Sequence, residues 1–336
     1  MPHRVTVVIP NWNGERFLSP CLSSLREQCL EHFETVLVDN GSTDGSVEFA
    51  NLNFPEVRVL PLAENKGFSA AVNAGIKASH AEYVALLNND TETDPAWLYA
   101  LVRAAETHPE AGLFASKMVD FYDRRVLDGA GDALRRSGLP LRLGHGELDR
   151  GQYDETAFVF GACAGAALYK RNMLDDVGLF DEDFFANCED GDLSFRAQLA
   201  GYRCLYVPES IIYHMGSATF GKRSPTAVRL GTRNSLCLLV KNLPAPLVSR
   251  LLPFIIAGQL SRLIVTASTF TLRAHLEGLA GALRLLPLML KKRREIQKRR
   301  RVPVGYVRRL LKESSRAAGK SVRRRLMRNL LSGLRS

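Results

Sequence analysis

Carboxylates standing directly after apolar runs are the groups in this chain best placed to do chemistry. Asn88-Asn-Asp90 follows Tyr83–Leu87. A carboxylate just beyond a buried strand can hold Mg²⁺ or Mn²⁺, with phosphate oxygens and water as the other ligands. Asp39 ends a second such run, before Asn40-Gly-Ser-Thr43. It either shapes that turn or accepts a hydrogen bond from the base or ribose of a nucleotide, whereas Asp44 reads as turn and cap chemistry. The densest acidic stretch runs from Asp175 to Asp192 beside Phe180, Phe184 and Phe185. An acid near a helix start usually caps it, but the adjacent Glu189 and Asp190 could divide between structure and base catalysis. Lys66, just ahead of a helix start at Gly67, is a surface lysine or a phosphate contact aided by free helix N–H groups. His214 follows a β-like run, where a histidine packs or ligates.

The elements that must carry these residues alternate in kind. The pattern predicts strands over 4–9, 34–39, 57–61 and 83–88, and helices over 15–28, from Asp44 to Asn51, over 67–79 and from Pro95 to about His108, with Asp94 as cap. Strands separated by helices imply parallel crossover units in an α/β layer fold, whose ligands bind beyond the carboxyl ends of the strands. The polar clusters Asn11–Asn13, Asp39–Asp44 and Asn88–Asp90 fall there. The turn after the first strand has one glycine, Gly14, and no G-x-G-x-x-G, which argues against a dinucleotide held at that helix. Val119–Gly151 reads as hairpins or a long functional loop. Phe158–Tyr169 is rich in small residues that allow close backbone approach. A helix is expected over 189–200, short strands over 202–207 and 210–214, a Gly/Ser/Thr loop over 216–225 and a helix from Thr226 to Leu243.

The composition, 46% hydrophobic and 24% charged over 336 residues, excludes a disordered, collagen-like or disulfide-scaffold chain. Charge divides the chain: residues 251–336 hold 21 Lys and Arg against 3 Asp and Glu, and the first 250 hold 24 against 32. A basic tail on an acidic body attracts polyanions. Leu251–Leu272 has one charge, Arg262, and is near the length of a spanning helix. Arg262, Arg273, Glu277 and Arg284 would share one face of a continuous helix, favouring a helix lying in an anionic membrane interface over an amphipathic helix packed on the body with a solvated basic end; without aromatic interleaving, nucleic acid is not expected as a partner. The six cysteines form no C-x-x-C pair, so reduced cytosolic thiols are expected. No basic n-region precedes a long apolar run at the N-terminus, so no signal peptide is expected.

Over residues 4–242 the order of motifs resembles the inverting family 2 glycosyltransferases of GT-A fold, particularly the rhamnosyltransferase-like branch. The resemblance rests on V-x-I-P-N-W-N-G, V-D-N-G-S-x-D-G-S, E-N-x-G-F, L-N-N-D-T, the block G-x-F-D-E-x-F-F…E-D-x-D-L-x-x-R and the following Y-H-x-G-S. It implies a Rossmann-like mixed sheet and a catalytic domain over 1–243, while the charge and hydropathy pattern leaves 244–336 as a basic, amphipathic helical extension expected to associate with the membrane. It further implies that Pro10, Asn11 and Asn13 line a nucleotide pocket, that Asp39 bonds a pyrimidine base, and that Lys66 and Gly67 lie by the donor. Asp90 matches the last acid of the family's D-x-D metal motif, His214 an additional metal ligand, and Asp190 the general base, with Glu189 its first alternative. The chain departs from the motif at Asn88, where the first Asp would stand; an amide oxygen still ligates but adds no charge.

The expected reaction moves a sugar from a UDP- or dTDP-sugar, dTDP-rhamnose being one candidate, to a glycan or lipid-linked acceptor with inversion, in cell-surface polysaccharide synthesis. A Mg²⁺ or Mn²⁺ cofactor, the loop 216–225 as a lid and a cytoplasmic location, peripheral at the inner face of the cell membrane, belong to the same expectation. So does a soluble, donor-binding body after truncation at about Leu243. The alternatives are a catalytically degenerate nucleotide-binding scaffold, supported by Asn88, and a nucleotide-dependent enzyme of another type, such as a Rossmann oxidoreductase.

Overall fold

The computed structural model describes residues 3–216 and 224–333; most of the expected lid lies outside the described residues. The chain begins β1 (Val5–Asn11), α1 (Glu15–Arg26), β2 (Glu34–Asp39), α2 (Ser46–Asn53), β3 (Arg58–Pro61), α3 (Phe68–Ala78), β4 (Tyr83–Leu87). These four strands pair in parallel in the order β4-β1-β2-β3. Their apolar runs are continuous because both faces are covered. Val5, Val7 and Ile9 face one core with Leu37, Ala85 and Leu87. Val8 faces the other with Val36, Val38, Val84 and Leu86.

Next come β5 (Thr91–Thr93), α4 (Trp97–Thr107), β6 (Ala111–Asp120), β7 (Leu127–Ala130), the hairpin β8 (Asp132–Leu134) and β9 (Pro140–Arg142), β10 (Ala157–Val159) and β11 (Ala166–Lys170). Then follow α5 (Arg171–Val177), a short 3₁₀ turn at Glu182–Phe184, α6 (Glu189–Ala200), β12 (Arg203–His214) and α7 (Pro225–Asn242). β11 joins the first four strands antiparallel to β4 and to β6, β12 adds in parallel to β6, and β10 closes that edge. The sheet is therefore mixed, as expected.

Several local readings need correction. β6 was not foreseen: Ala-Gly-Leu-Phe-Ala-Ser carries little β-branched signal, and burial between β11 and β12 decides it. α5, which ends just inside the acidic run, was not expected either. The two strands expected over 202–214 are one, interrupted by an irregularity between Val207 and Ile211. Asp44 precedes its helix, accepting from the Ser46 and Glu15 amides at 3.1 Å. Asp94 likewise accepts from the Ala96 amide at 2.9 Å before α4 begins at Trp97.

Residues 251–290 are not one continuous helix. α8 (Ala245–Ser268) ends at a turn in which Phe270 has φ 55°, α9 (Leu272–Arg299) follows, and α10 (Val304–Gly333) completes the described chain. Arg262 therefore shares no face with Arg273, Glu277 and Arg284: it turns onto α7, donating to Gly231 O at 3.1 Å and Ser235 Oγ at 3.0 Å. Among the described residues α8 alone is long and apolar enough to cross a bilayer.

The extension is also packed on the body. Met289, Val307 and Leu311 are buried with Leu134, Phe160, Phe184 and Phe195. Lys292 pairs with Asp181 at 2.5 Å and Arg301 with Asp176 at 2.6 Å. Ser314 and Ser315 accept from the Leu134 and Arg136 amides, both at 2.7 Å. This packing weighs against the expectation of a freely soluble body after removal of the extension.

Candidate active site

A cavity of about 800 Å³ lies beyond the carboxyl ends of β1, β2 and β4. Register explains its wall. Asn11 and Asp39 are partners at the ends of β1 and β2, and Asn11 Nδ2 donates to Asp39 Oδ1 at 3.2 Å. Asp39 Oδ2 accepts from the Ser42 amide at 3.0 Å. Asn11 Oδ1 in turn accepts from Asn89 Nδ2 at 2.6 Å, linking the ends of β1 and β4. Asn40 ties in the next loop, donating to Gly67 O at 3.2 Å and accepting from the Lys66 amide at 3.0 Å. Gly67 has φ 88°, and a Cβ there would stand 2.5 Å from the Phe185 ring, so only glycine fits.

Asp90 and His214 meet because β5 pairs antiparallel with β12, setting Thr91 opposite His214. Asp90 Oδ1 lies 3.3 Å from His214 Nε2. On the other side of the ring, Nδ1 is 2.8 Å from Asp128 Oδ2 on β7. Asp128 also takes Arg142 Nη1 at 2.6 Å and faces His145 Nδ1 at 3.0 Å. Burial pulls the His214 imidazole down, but hydrogen bonds to Asp128 and Asp90 outweigh it and raise it to about 9. Burial opposes ionisation of Asp128, yet Arg142, His145 and His214 hold it far below the usual carboxylate range.

This donor set fits a hard divalent ion. Cis donors at about 2.1 Å from an octahedral ion stand about 3 Å apart, close to the spacing of Asp90 Oδ1 and His214 Nε2. With Nδ1 held by a carboxylate, Nε2 is the nitrogen that would ligate once an ion displaces its proton. Asn88 lines the same cavity.

Asp190 and Glu189 open α6 on the cavity's other side. The approach to them is strained: Phe185, Asn187 and Cys188 have φ of 64°, 69° and 69°. Such non-glycine residues cost about 1–3 kcal/mol each and persist where the surroundings over-determine them. Here the staple is Asn234 on α7, whose Nδ2 donates to the carbonyls of Phe184, Ala186 and Asn187 at 2.7–2.8 Å. Asp190 Oδ1 accepts from the Gly191 amide at 2.7 Å, and burial raises its pKa. Glu189 Oε2 is buried without a partner among the described residues, and burial with the neighbouring Asp190 charge pushes its pKa well up. Asp192, two residues on, is structural: it pairs with Lys241 at 2.7 Å and Arg196 at 2.9 Å.

Pro10, Asn11, Gly67, Asn88, Asp90, Glu189, Asp190 and His214 therefore share one cavity. Asp39 lies just behind its wall. Lys66 is exposed and outside the lining. Asn13 is outside it as well, its Oδ1 accepting from the Thr43 amide at 2.8 Å. Sequence reasoning missed Asp128, Asp132, Arg142 and Cys163. Oxygen or sulfur atoms of Asp132, Cys163 and Asp190 lie within 4.8 Å of one another, but Arg142 Nη2, 2.9 Å from Cys163 Sγ, already supplies a cation there. The Gly-, Asp- and Arg-rich composition of 119–151 was the one signal for the first three, and Cys163 lies outside it.

Comparison with known proteins identifies the family and the fold. Residues 6–178 match the family model for glycosyl transferase family 2. The chain is 31% identical over 238 residues to the N-acetylglucosaminyl-diphospho-decaprenol L-rhamnosyltransferase of Mycobacterium tuberculosis, covering 63% of this chain and 75% of that protein. It is 30% identical over 219 residues to the pre-mycofactocin glycosyltransferase of the same organism, covering 63% of this chain and 43% of that one. Among solved structures, the mannosyltransferase PcManGT of Pyrobaculum calidifontis, in complex with GDP-Man and Mn²⁺, superposes with TM-score 0.53 at 18% identity over 95% of this chain and 86% of its own. S. aureus TarS 1–349 gives 0.54 at 19%, over 95% and 91%.

Proposed function

Because the chain belongs to glycosyl transferase family 2, in its rhamnosyltransferase-like branch and with the GT-A fold, we propose that it transfers a sugar with inversion from a UDP- or dTDP-sugar, dTDP-rhamnose being a candidate, to a glycan or lipid-linked acceptor. The observation that carries this reading is the single cavity shared by Asp190, by the Asp90–His214 pair and by the polar strand ends of β1 and β2. The mycobacterial relative, whose name specifies a diphospho-decaprenol substrate, supports a lipid-linked acceptor in cell-surface polysaccharide synthesis. On this reading the enzyme works in the cytoplasm, peripheral at the inner face of the cell membrane, with the basic extension facing anionic lipid.

Asp190 takes the acceptor hydroxyl's proton as attack proceeds; the raised pKa makes it a stronger base than an exposed aspartate. The hydroxyl oxygen bonds to the anomeric carbon from the face opposite the nucleotide as the anomeric C–O bond to the diphosphate breaks, the nucleoside diphosphate leaves with that electron pair, and the configuration inverts. Pro10, Asn11 and Asn40 wall the base end. Asp39, with two hydrogen bonds made, retains lone pairs for a base N–H. Asn13 and Lys66 sit at the margin, where each reaches the donor only with a local rearrangement. Asp90 and His214, with the Asn88 amide nearby, would hold Mg²⁺ or Mn²⁺, which supplies Lewis-acid charge neutralisation at the diphosphate.

The test is a donor screen by thermal shift with Mn²⁺ or Mg²⁺, followed by the anomeric configuration of the product. A donor at 100 times its Kd should stabilise by about 2.7 kcal/mol, and the product should carry the inverted anomer. Binding with neither transfer nor donor hydrolysis would favour a degenerate scaffold. Retention at the anomeric carbon would exclude the direct displacement.

A further inference from the structure

A second cavity, of about 610 Å³, opens between α8, α10 and the tip of the β8–β9 hairpin. Its rim is cationic, with Arg136, Arg250, Arg308, Arg309 and Lys312. Its floor is Leu247, Leu251 and Leu311, all buried. Among the described residues no carboxylate lines it. Among the described residues none of the five cations forms an ion pair, whereas Lys117, Arg142, Lys241, Lys292 and Arg301 elsewhere each do. Arg136 lies over the Phe254 ring, 3.9 Å from its centroid. Five like charges around a concave apolar floor repel one another, and an anion placed among them relieves that repulsion.

The surroundings say which anion. α8, which forms one side of the cavity, leaves Leu252, Phe254, Ile256, Leu260 and Ile264 exposed, at 42–71%. A cationic cleft with an apolar floor, beside an apolar helix face, matches an amphiphile whose charge and hydrocarbon are joined. We propose that this cleft seats the phosphate of an anionic membrane lipid, with the first lipid carbons on the Leu247–Leu251–Leu311 floor and the α8 face against the bilayer. The inference rests on the proposed association of the extension with an anionic membrane. It ties that surface to the active site, because the hairpin whose tip bears Arg136 carries Asp132 and Arg142 on its strands.

The test uses the full chain and phosphatidylcholine vesicles with or without phosphatidic acid. The triple variant Arg308→Ala, Arg309→Ala, Lys312→Ala is compared with Arg294→Ala, Lys298→Ala, Arg299→Ala, which removes equal charge from α9 outside the cleft. Both lose long-range attraction, but only the first loses the direct charge-assisted contacts. It should therefore lose roughly tenfold more affinity for phosphatidic acid vesicles. The single variant Arg308→Ala, with an unchanged melting temperature, should show a smaller loss in the same direction. Equal losses in the two triples would overturn the cleft and leave the membrane reading standing. Titration with monomeric dihexanoyl phosphatidic acid separates the two in reverse: binding there, without recruitment to vesicles, keeps the cleft and removes the membrane association. If inorganic phosphate protects the chain from heat as well as the short lipid does, the site is one for free anions and the lipid assignment falls.

Discussion

Asp128 Oδ2 stands 2.8 Å from His214 Nδ1, so the ring nitrogen turned toward Asp90 is Nε2, at 3.3 Å. A carboxylate behind a histidine fixes which nitrogen can ligate, and loss of such a partner typically costs 10–100-fold in metal affinity. Asp128→Asn should therefore raise the Mn²⁺ concentration needed for donor binding by about that factor, with binding recovered at saturating Mn²⁺. Asp90→Ala and His214→Ala should each weaken the same metal-dependent binding, and a double-mutant cycle should show their losses to be non-additive. An unchanged Mn²⁺ requirement in Asp128→Asn would leave that residue as an anchor for Arg142 alone. Fully additive losses would make His214 structural.

Asp190→Asn keeps the shape and can still accept from the Gly191 amide, but it takes up no proton. Turnover should fall by at least ~10²-fold, the low end for general-base catalysis, while donor binding measured calorimetrically stays near wild type. Near-normal turnover would move the base to Glu189.

Asn234 holds the strained run before Asp190 by its three carbonyl contacts. Asn234→Asp, of equal size, turns an acceptor toward those carbonyls and should relax the run more than Asn234→Ala does. Both should lower kcat by at least about tenfold with a smaller change in the donor KM, because misplacing a reacting group costs rate before binding. Wild-type kinetics in both variants would show that the strain serves packing only.

Asp132 is pushed up to about 8 by burial and by the neighbouring Asp190 charge, against the pull of Arg142. Folded chains keep this proton where unfolded ones have lost it. The stabilisation it gives is complete below about pH 4 and disappears as pH rises through 8. Asp132→Asn cannot ionise, so its melting temperature relative to wild type should climb between pH 5 and pH 9. A flat difference over that range would mean that Asp132 titrates normally.

The parallel half of the fold was legible because β1, β2 and β4 are apolar on both faces and end in polar clusters, a pattern that local order alone produces. That Asp90, Asp190 and His214 fall in one cavity was legible through motif order. Asp128 and Arg142 were not: β7 and β9 are four and three residues long, and their pairing is set by contacts with β6 and β8 that no local periodicity encodes. The tail misled for a related reason. Charge and hydropathy along 251–290 read as one helix, but the turn at 269–271 splits it, and packing on α7 spends Arg262 on Gly231 and Ser235 instead of on a lipid-facing stripe.

The extension's packing gives it the reverse of the role that its composition suggests. Met289, Val307 and Leu311 are 1–2% exposed and pack with Phe160, Phe184 and Phe195 of the body. Truncation after Leu243 uncovers that shared core, and it removes the Ser314, Ser315 and Ser321 hydroxyls that accept from hairpin amides at Leu134, Arg136 and Gly144. The truncated chain should melt well below the full one, aggregate on expression and bind donor weakly, since Asp132 and Arg142 sit on the loosened hairpin. Leu311→Ala in the full chain is the graded version: deleting a buried leucine side chain costs about 2–5 kcal/mol, and a denaturant titration should show a loss of that size. If the truncated chain is soluble, cooperative in melting and binds donor as the full chain does, the extension is an appendage after all and its buried contacts contribute little.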